Sequence, residues 1–196
     1  VSGADARRRL TPGAVVPGVV LLALAMGLGV HEANRKVVPT VATTIHGTVG
    51  QELAVGGTRV EVLGASTAPV VRVEGTFSDE VTEPTTTGEW LVLRVRFAGE
   101  REPSAVRRYV WRDTEGVEYQ TSQWFDYGYP FAQPDEWWHE DVVFEVPPAA
   151  LESGTLLLLP EGQNWALPME VGAIRVDDVE VVDVIDAVDA TVGEAP

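Results

Sequence analysis

Apolar and polar residues alternate with period two through most of the chain after residue 57, and that rhythm predicts β-strands. Val60 and Val62 alternate with Arg59 and Glu61, and Val71 and Val73 with Arg72 and Glu74. The clearest case is 89–97, where Leu91, Leu93, Val95 and Phe97 share one face and Trp90, Val92, Arg94 and Arg96 the other. Further strands are predicted over 107–112, 117–124, 141–146, 155–159 and 173–184. Between residues 47 and 184 no helical period is sustained, although 147–153 could form one helical turn. Seven or eight short strands separated by Gly, Pro and Thr clusters predict an all-β fold, an antiparallel sandwich. A domain of this size buries a core large enough to hold without disulfides, and the chain has no cysteine.

The pattern before residue 47 is different. Residues 13–30 run for 18 positions without a charge. At ~1.5 Å per residue, such a run spans ~27 Å as a helix, and Leu10, Thr11 and Pro12 extend it to the thickness of a bilayer core. Pro17 and the glycines are tolerated in lipid, where unpaired backbone groups cost more than a bent helix. Arg7, Arg8 and Arg9 precede the run, which places the N-terminus in the cytoplasm and the remainder outside. Two outcomes stay open. The segment is retained as a signal anchor, or it is cleaved at the small-x-small site Ala23-Leu24-Ala25, which would release a secreted domain. The expected organisation is a basic cytoplasmic tail (1–9), a transmembrane helix (10–30), a tether (31–46), the sandwich (47–185) and an acidic tail (186–196).

Charge sharpens this division. The chain has 14 Lys+Arg against 30 Asp+Glu, a formal net charge of −16. Residues 1–39 carry five basic and two acidic side chains, net +3, and residues 40–196 carry nine basic and 28 acidic, net −19. An acidic domain argues against a nucleic-acid partner, since binding a polyanion needs a basic surface. Lys36 is the one lysine among the basic residues, a bias toward Arg that suggests GC-rich, actinobacterial coding. Val1 fits a literally translated GTG start, on which the chain is expected to be a full precursor.

The order 50–53 (Gly-Gln-Glu-Leu), 58–62 (Thr-Arg-Val-Glu-Val) and 89–95 (Glu-Trp-Leu-Val-Leu-Arg-Val) resembles a large bacterial extracytoplasmic family. Asp113-Thr-Glu-Gly116-Val-Glu-Tyr119 is similar to that family's Asp-x-x-Gly-x-x-Tyr hairpin, and Val142-Val-Phe144-Glu-Val-Pro147 to its apolar-Phe-x-apolar-Pro strand. The family has the immunoglobulin-like sandwich of a small secreted mycobacterial antigen and no established function. Two positions depart from it: Phe97-Ala-Gly-Glu100 replaces an Asn-Thr pair, and 133–138 replaces a Pro-Gly. The resemblance implies an immunoglobulin-like fold and an export route, and it transfers no catalytic residues.

Catalytic signatures are not evident. There is no phosphate-binding glycine loop and no Gly-x-Ser-x-Gly elbow. His31, His46 and His139 are far apart in sequence, and His139-Glu140-Asp141 reads as exposed loop. Asp177, Asp178, Glu180, Asp183, Asp186 and Asp189 form an acidic stretch that reads as a solvated strand face in preference to a calcium site. No metal or cofactor is expected. The segment 124–138 is the candidate partner-binding site: Trp124, Phe125, Tyr127, Tyr129, Phe131, Trp137 and Trp138 sit in a loop broken by Gly128, Pro130 and Pro134. Aromatic loops on a rigid sandwich bind proteins or sugars. The competing reading has the same rings sealing one end of the core.

The expected function is therefore non-enzymatic: a membrane-anchored immunoglobulin-like module for binding or accessory work at the cell envelope, contacting the membrane through residues 10–30 and an envelope protein or glycan through the aromatic loop. Two alternatives remain. One is a subunit of a larger membrane complex anchored by the N-terminal helix. The other is an envelope carbohydrate-active hydrolase drawing a carboxylate pair from Asp126, Asp135, Glu136, Glu140 and Asp141, which requires two carboxyl groups facing one cleft.

Overall fold

The computed structural model describes residues 42–74, 81–124, 130–160, 170–188 and 190–193. The chain divides into two units, Val1–Val37 and Val38–Pro196. The first unit, with the expected tail and transmembrane segment, lies outside the described residues. Among the described residues no helix is long and apolar enough to cross a membrane.

The second unit is all-β. Its strands are β1 (Thr43–Thr48), β2 (Leu53–Val55), β3 (Thr58–Ala68), β4 (Val70–Glu74), β5 (Val81–Thr82), β6 (Glu89–Gly99), β7 (Val106–Asp113), β8 (Glu118–Gln120), β9 (Trp138–Val146), β10 (Gly154–Pro160), β11 (Glu170–Val176), β12 (Glu180–Val181), β13 (Val184–Ala187) and β14 (Thr191–Val192). Between β9 and β10, Pro148–Ala150 makes a single 3-10 turn, the helical turn expected at 147–153. One sheet runs β1-β11-β10-β7-β8 and a second runs β12-β3-β6-β9-β14, with β2 also on β3.

The two sheets face each other as a sandwich. Alternation on β6 buries Leu91, Leu93, Val95 and Phe97 against Tyr109, Trp111, Leu156, Leu158 and Ile174 of the opposite sheet. All nine side chains are at most 3% exposed, which makes this interface the main source of hydrophobic stabilisation.

The architecture departs from the expected antiparallel two-layer sandwich in three ways. First, three pairings are parallel: β1 with β11, β12 with β3, and β13 with β4. Second, the domain extends further at both ends. Residues 43–46, read as tether, belong to β1, and residues of the expected acidic tail form the end of β13 and all of β14. Third, β13-β4-β5 forms a small third sheet. It lies over the outer face of β6 and β9, where Val71 and Ile185 bury Trp90, Val92 and Val143 in a second apolar cluster. The predicted strand at 117–124 shrinks to three residues, and that at 173–184 is divided among β11, β12 and the first residue of β13.

Local chemistry explains the Asp-x-x-Gly-x-x-Tyr hairpin. The Asp113 carboxylate accepts the backbone N–H of Glu115 and Val117 and the Tyr119 hydroxyl. Gly116 takes a φ of 85°, a left-handed conformation that costs glycine little. Burial and then the Asp113 carboxylate push the Tyr119 hydroxyl above its ordinary pKa.

Candidate binding surface

The aromatic segment connects β8 in one sheet to β9 in the other. Its first part is pinned to β9: Thr121 bridges Phe144, and the Ser122 N–H donates to the Val143 carbonyl at 2.8 Å. Its last part is pinned to the β6–β7 connection by two backbone bonds between Ala132 and Ser104, and by the Gly99 N–H donating to Gln133. Between these anchors, Trp124 is 52% exposed and Phe131 56%. Phe125, Asp126, Tyr127 and Tyr129 lie outside the described residues.

The structure separates the two tryptophans that end the segment. Trp138 enters β9 facing inward, opposite Phe97, and packs half-buried against the main core. Its indole Nε1 is buried without a hydrogen-bond partner. Trp137 lies one position earlier, under the guanidinium groups of Arg59 and Arg96 at 4.8 and 4.6 Å from the ring centroid. Both arginines are themselves held. Arg59 donates to the carbonyls of Gly99 and Pro134, and Arg96 donates through Nε and Nη2 to Glu61 Oε2 at 2.9 and 2.5 Å. Fixed cations on a ring give Trp137 a defined pose, so core sealing describes Trp138 and a partly open surface describes Trp137.

Of the described carboxylates proposed for hydrolysis, the two in β9 do not converge. Glu140 and Asp141 are consecutive in β9 and so point to opposite faces. Glu140 is buried inside the sandwich, where the Tyr109 hydroxyl donates to it. Asp141 is buried on the outer face, accepting Arg94 Nε at 3.2 Å and the Val188 N–H at 3.0 Å. Asp135 is exposed and Glu136 half-exposed in the loop before β9. His139 corrects the exposed-loop reading: it lies within β9 and is 6% exposed. Burial pushes its imidazole below the ordinary pKa, a backbone hydrogen bond with Gly193 opposes this, and Arg96 and Arg94 add to the lowering. His46 is exposed on β1.

One concavity was not foreseen. A cleft of about 640 Å³ opens on the outer face of the second sheet, walled by β13 and β12. Val92, Ile185 and Val184 supply its apolar lining, and Arg94, Asp141, Glu180 and Asp186 its charges. A register shift between Val62 and Gly64 falls in its wall, and nothing lies within 4 Å of where a Gly64 side chain would begin. A glycine inside an alternating strand was the available sign of such a bulge. Among the described residues no group of three His, Asp or Glu side chains could hold a metal ion. Asp177, Asp178, Glu180, Asp183 and Asp186 are all exposed, and Asp189 lies outside the described residues.

Comparison with protein-family models gives no match, and neither does comparison with curated proteins. Among solved structures, an uncharacterized β-sandwich protein from Clostridium difficile 630 aligns with a TM-score of 0.38 and 6% identity, covering 72% of this chain and 99% of that one.

Proposed function

We propose that the chain is a non-enzymatic binding module of the bacterial envelope: an immunoglobulin-like domain held at the membrane by residues 10–30, with the aromatic segment 124–138 as its contact surface. The observation that carries this reading is the exposure of Trp124 and Phe131, two large apolar side chains at the start and in the middle of a segment stapled to a rigid sandwich. Exposed aromatics on a fixed frame lose little conformational entropy on binding and are the side chains that dominate contact energies. The chain path supports the immunoglobulin-like part. β6 to β7, β8 to β9 and β9 to β10 each cross between the two main sheets, the alternation of Greek-key sandwiches. The uncharged run at 13–30, preceded by three arginines, supports the anchor and its orientation.

The test uses the full-length protein in detergent-solubilised envelope. The double variant Trp124→Ala/Phe131→Ala should change folding stability by less than about 0.5 kcal/mol, because both side chains are surface-exposed. It should weaken capture of the envelope partner at least about tenfold, since one aromatic hot spot contributes ~2 kcal/mol. Undiminished capture by a normally folded double variant would remove the segment as the contact surface. Recovery of the full-length chain in the soluble cytosolic fraction would remove the anchor.

A further inference from the structure

The cleft on the outer face of the second sheet carries charges of both signs, and none of its lining residues belongs to the aromatic segment. Register sets its floor. Gly64 pairs with Arg94 and Arg94 with Asp141, and in the next row Ser66 pairs with Val92. Paired side chains share a face, so these residues look outward together. Gly64 brings no side chain, and the space above it is open. Arg94 is held from one side: its Nε donates to Asp141 Oδ1 at 3.2 Å, and that carboxylate is 1% exposed and also accepts the Val188 N–H. Among the described residues nothing accepts a hydrogen bond from the two terminal nitrogens of the guanidinium. Glu180 of β12 and Asp186 of β13 line the same cleft, and both are exposed. Asp186 reaches Arg72 only at 3.9 Å, while Arg72 is engaged by Glu83 at 2.9 Å. Val92, Val184 and Ile185 supply the apolar surface.

We propose that this cleft binds a short peptide of two or three residues with both termini free. Its carboxylate sits on the terminal N–H groups of Arg94, its ammonium at Glu180 and Asp186, and an aliphatic side chain on Val92 and Ile185. The parallel N–H donors of a guanidinium match the two oxygens of a carboxylate. Charge selects a ligand with both signs: residues 40–196 have a net charge of −19, which repels a simple anion, and the two rim carboxylates add to that repulsion. Spacing selects the length. Glu180 pairs with Ser66, two residues along β3 from Gly64 and one strand further from Arg94. With strands ~4.8 Å apart and ~3.3 Å per residue, the Arg94 and Glu180 Cα atoms stand about 12 Å apart. With both side chains reaching into the cleft, the remaining gap suits the termini of two or three residues at ~3.3–3.6 Å each. Main-chain groups are also at hand. On the edge of β3 away from β6, β2 pairs with Thr58–Val60 and β12 with Ser66 and Thr67, so Leu63–Ala65 have no strand beside them among the described residues. A peptide along this stretch gains main-chain hydrogen bonds.

A nuclear magnetic resonance titration of the isotope-labelled full chain in detergent, at neutral pH with the dipeptide L-alanyl-L-leucine, tests this. The backbone amides of Gly64, Ser66 and Arg94 should shift and saturate in the millimolar range or below. Those of Leu156 and Leu158, inside β10, should stay fixed. The C-terminal amide of the same dipeptide lacks the carboxylate and should bind at least about tenfold more weakly, the loss of a hydrogen bond between charged groups. N-acetylation, which removes the ammonium, should weaken binding about threefold, because its partners are exposed. Gly64→Val should fold with no loss of melting temperature, since valine suits a strand and its Cβ meets nothing within 4 Å. Its methyl groups occupy the floor of the cleft, so the dipeptide should bind it at least about tenfold more weakly. Failure of the wild-type amides to shift overturns the proposal. So does undiminished binding by the folded Gly64→Val chain, and so does equal affinity of the wild type for the dipeptide and its amide.

Discussion

Replacing Trp111 by alanine should destabilise the domain by ~3–5 kcal/mol, the cost of deleting a large aromatic side chain from a packed core. Typical total stability is ~5–15 kcal/mol, so this single change removes about a fifth of it or more. Trp111 of β7 is fully buried between the two main sheets. Its indole Nε1 donates to the Ala150 carbonyl at 3.0 Å, fixing the 3-10 turn that leads into β10. The ring also fills the space over Gly154, where a Cβ atom would come within 2.3 Å of it. The Arg112 carbonyl would lie 2.7 Å from that same Cβ atom, so position 154 holds no side chain that could fill the gap. Urea denaturation should show a lower midpoint with an unchanged slope. Trp111→Phe retains most of the buried area and leaves the Ala150 carbonyl unpaired, so its loss should be smaller, about 1–3 kcal/mol. A midpoint for Trp111→Ala equal to that of the wild type would contradict the sandwich interface described above.

The central strands were legible because their alternation is local. Leu91, Leu93, Val95 and Phe97 occupy one face of β6, all buried, as the period-two pattern required. The same pattern correctly set Trp90, Val92, Arg94 and Arg96 on the other face, but it could not reveal that half of that face is covered. The cover comes from β13 and β4, whose parallel register joins Val184–Ala187 to Val70–Val73, more than a hundred residues apart. Parallel pairing at that separation leaves no turn or spacing signal in the sequence. Val184 therefore read as the end of a longer strand, and Asp186 as part of a free acidic tail. His139 was misplaced for a related reason. Pro134, Asp135 and Glu136 gave its neighbourhood a loop-like composition, while the strand that buries it arrives from residues 191–192. The aromatic segment was recognisable as a loop from its glycine and prolines. Which rings turn inward depended on where β9 begins, and one residue of offset reverses every side chain.

That offset gives the last prediction. Trp138→Ala should cost about 2–3 kcal/mol, less than a fully buried tryptophan because the ring is only half-buried against the core beside Phe97. Trp137→Ala should cost about 1–2 kcal/mol, the loss of two cation–π contacts of ~0.5–1 kcal/mol each at a partly exposed site. The order is the informative part. If β9 began one residue earlier or later, Trp137 would face the core and the ranking would invert. Thermal melts of the two single variants check this directly, with the larger drop expected for Trp138→Ala. The same ranking determines how binding at this segment can be measured. A combined Trp137→Ala/Trp138→Ala variant removes core packing and surface contact together, so its loss of binding would report unfolding as readily as a lost interface. Trp124 and Phe131 are free of that ambiguity, because each is more than half exposed in the folded domain. If Trp137→Ala proves the more costly variant, the inward placement of Trp138 is wrong, and with it the assignment of the segment's two ends to core and surface.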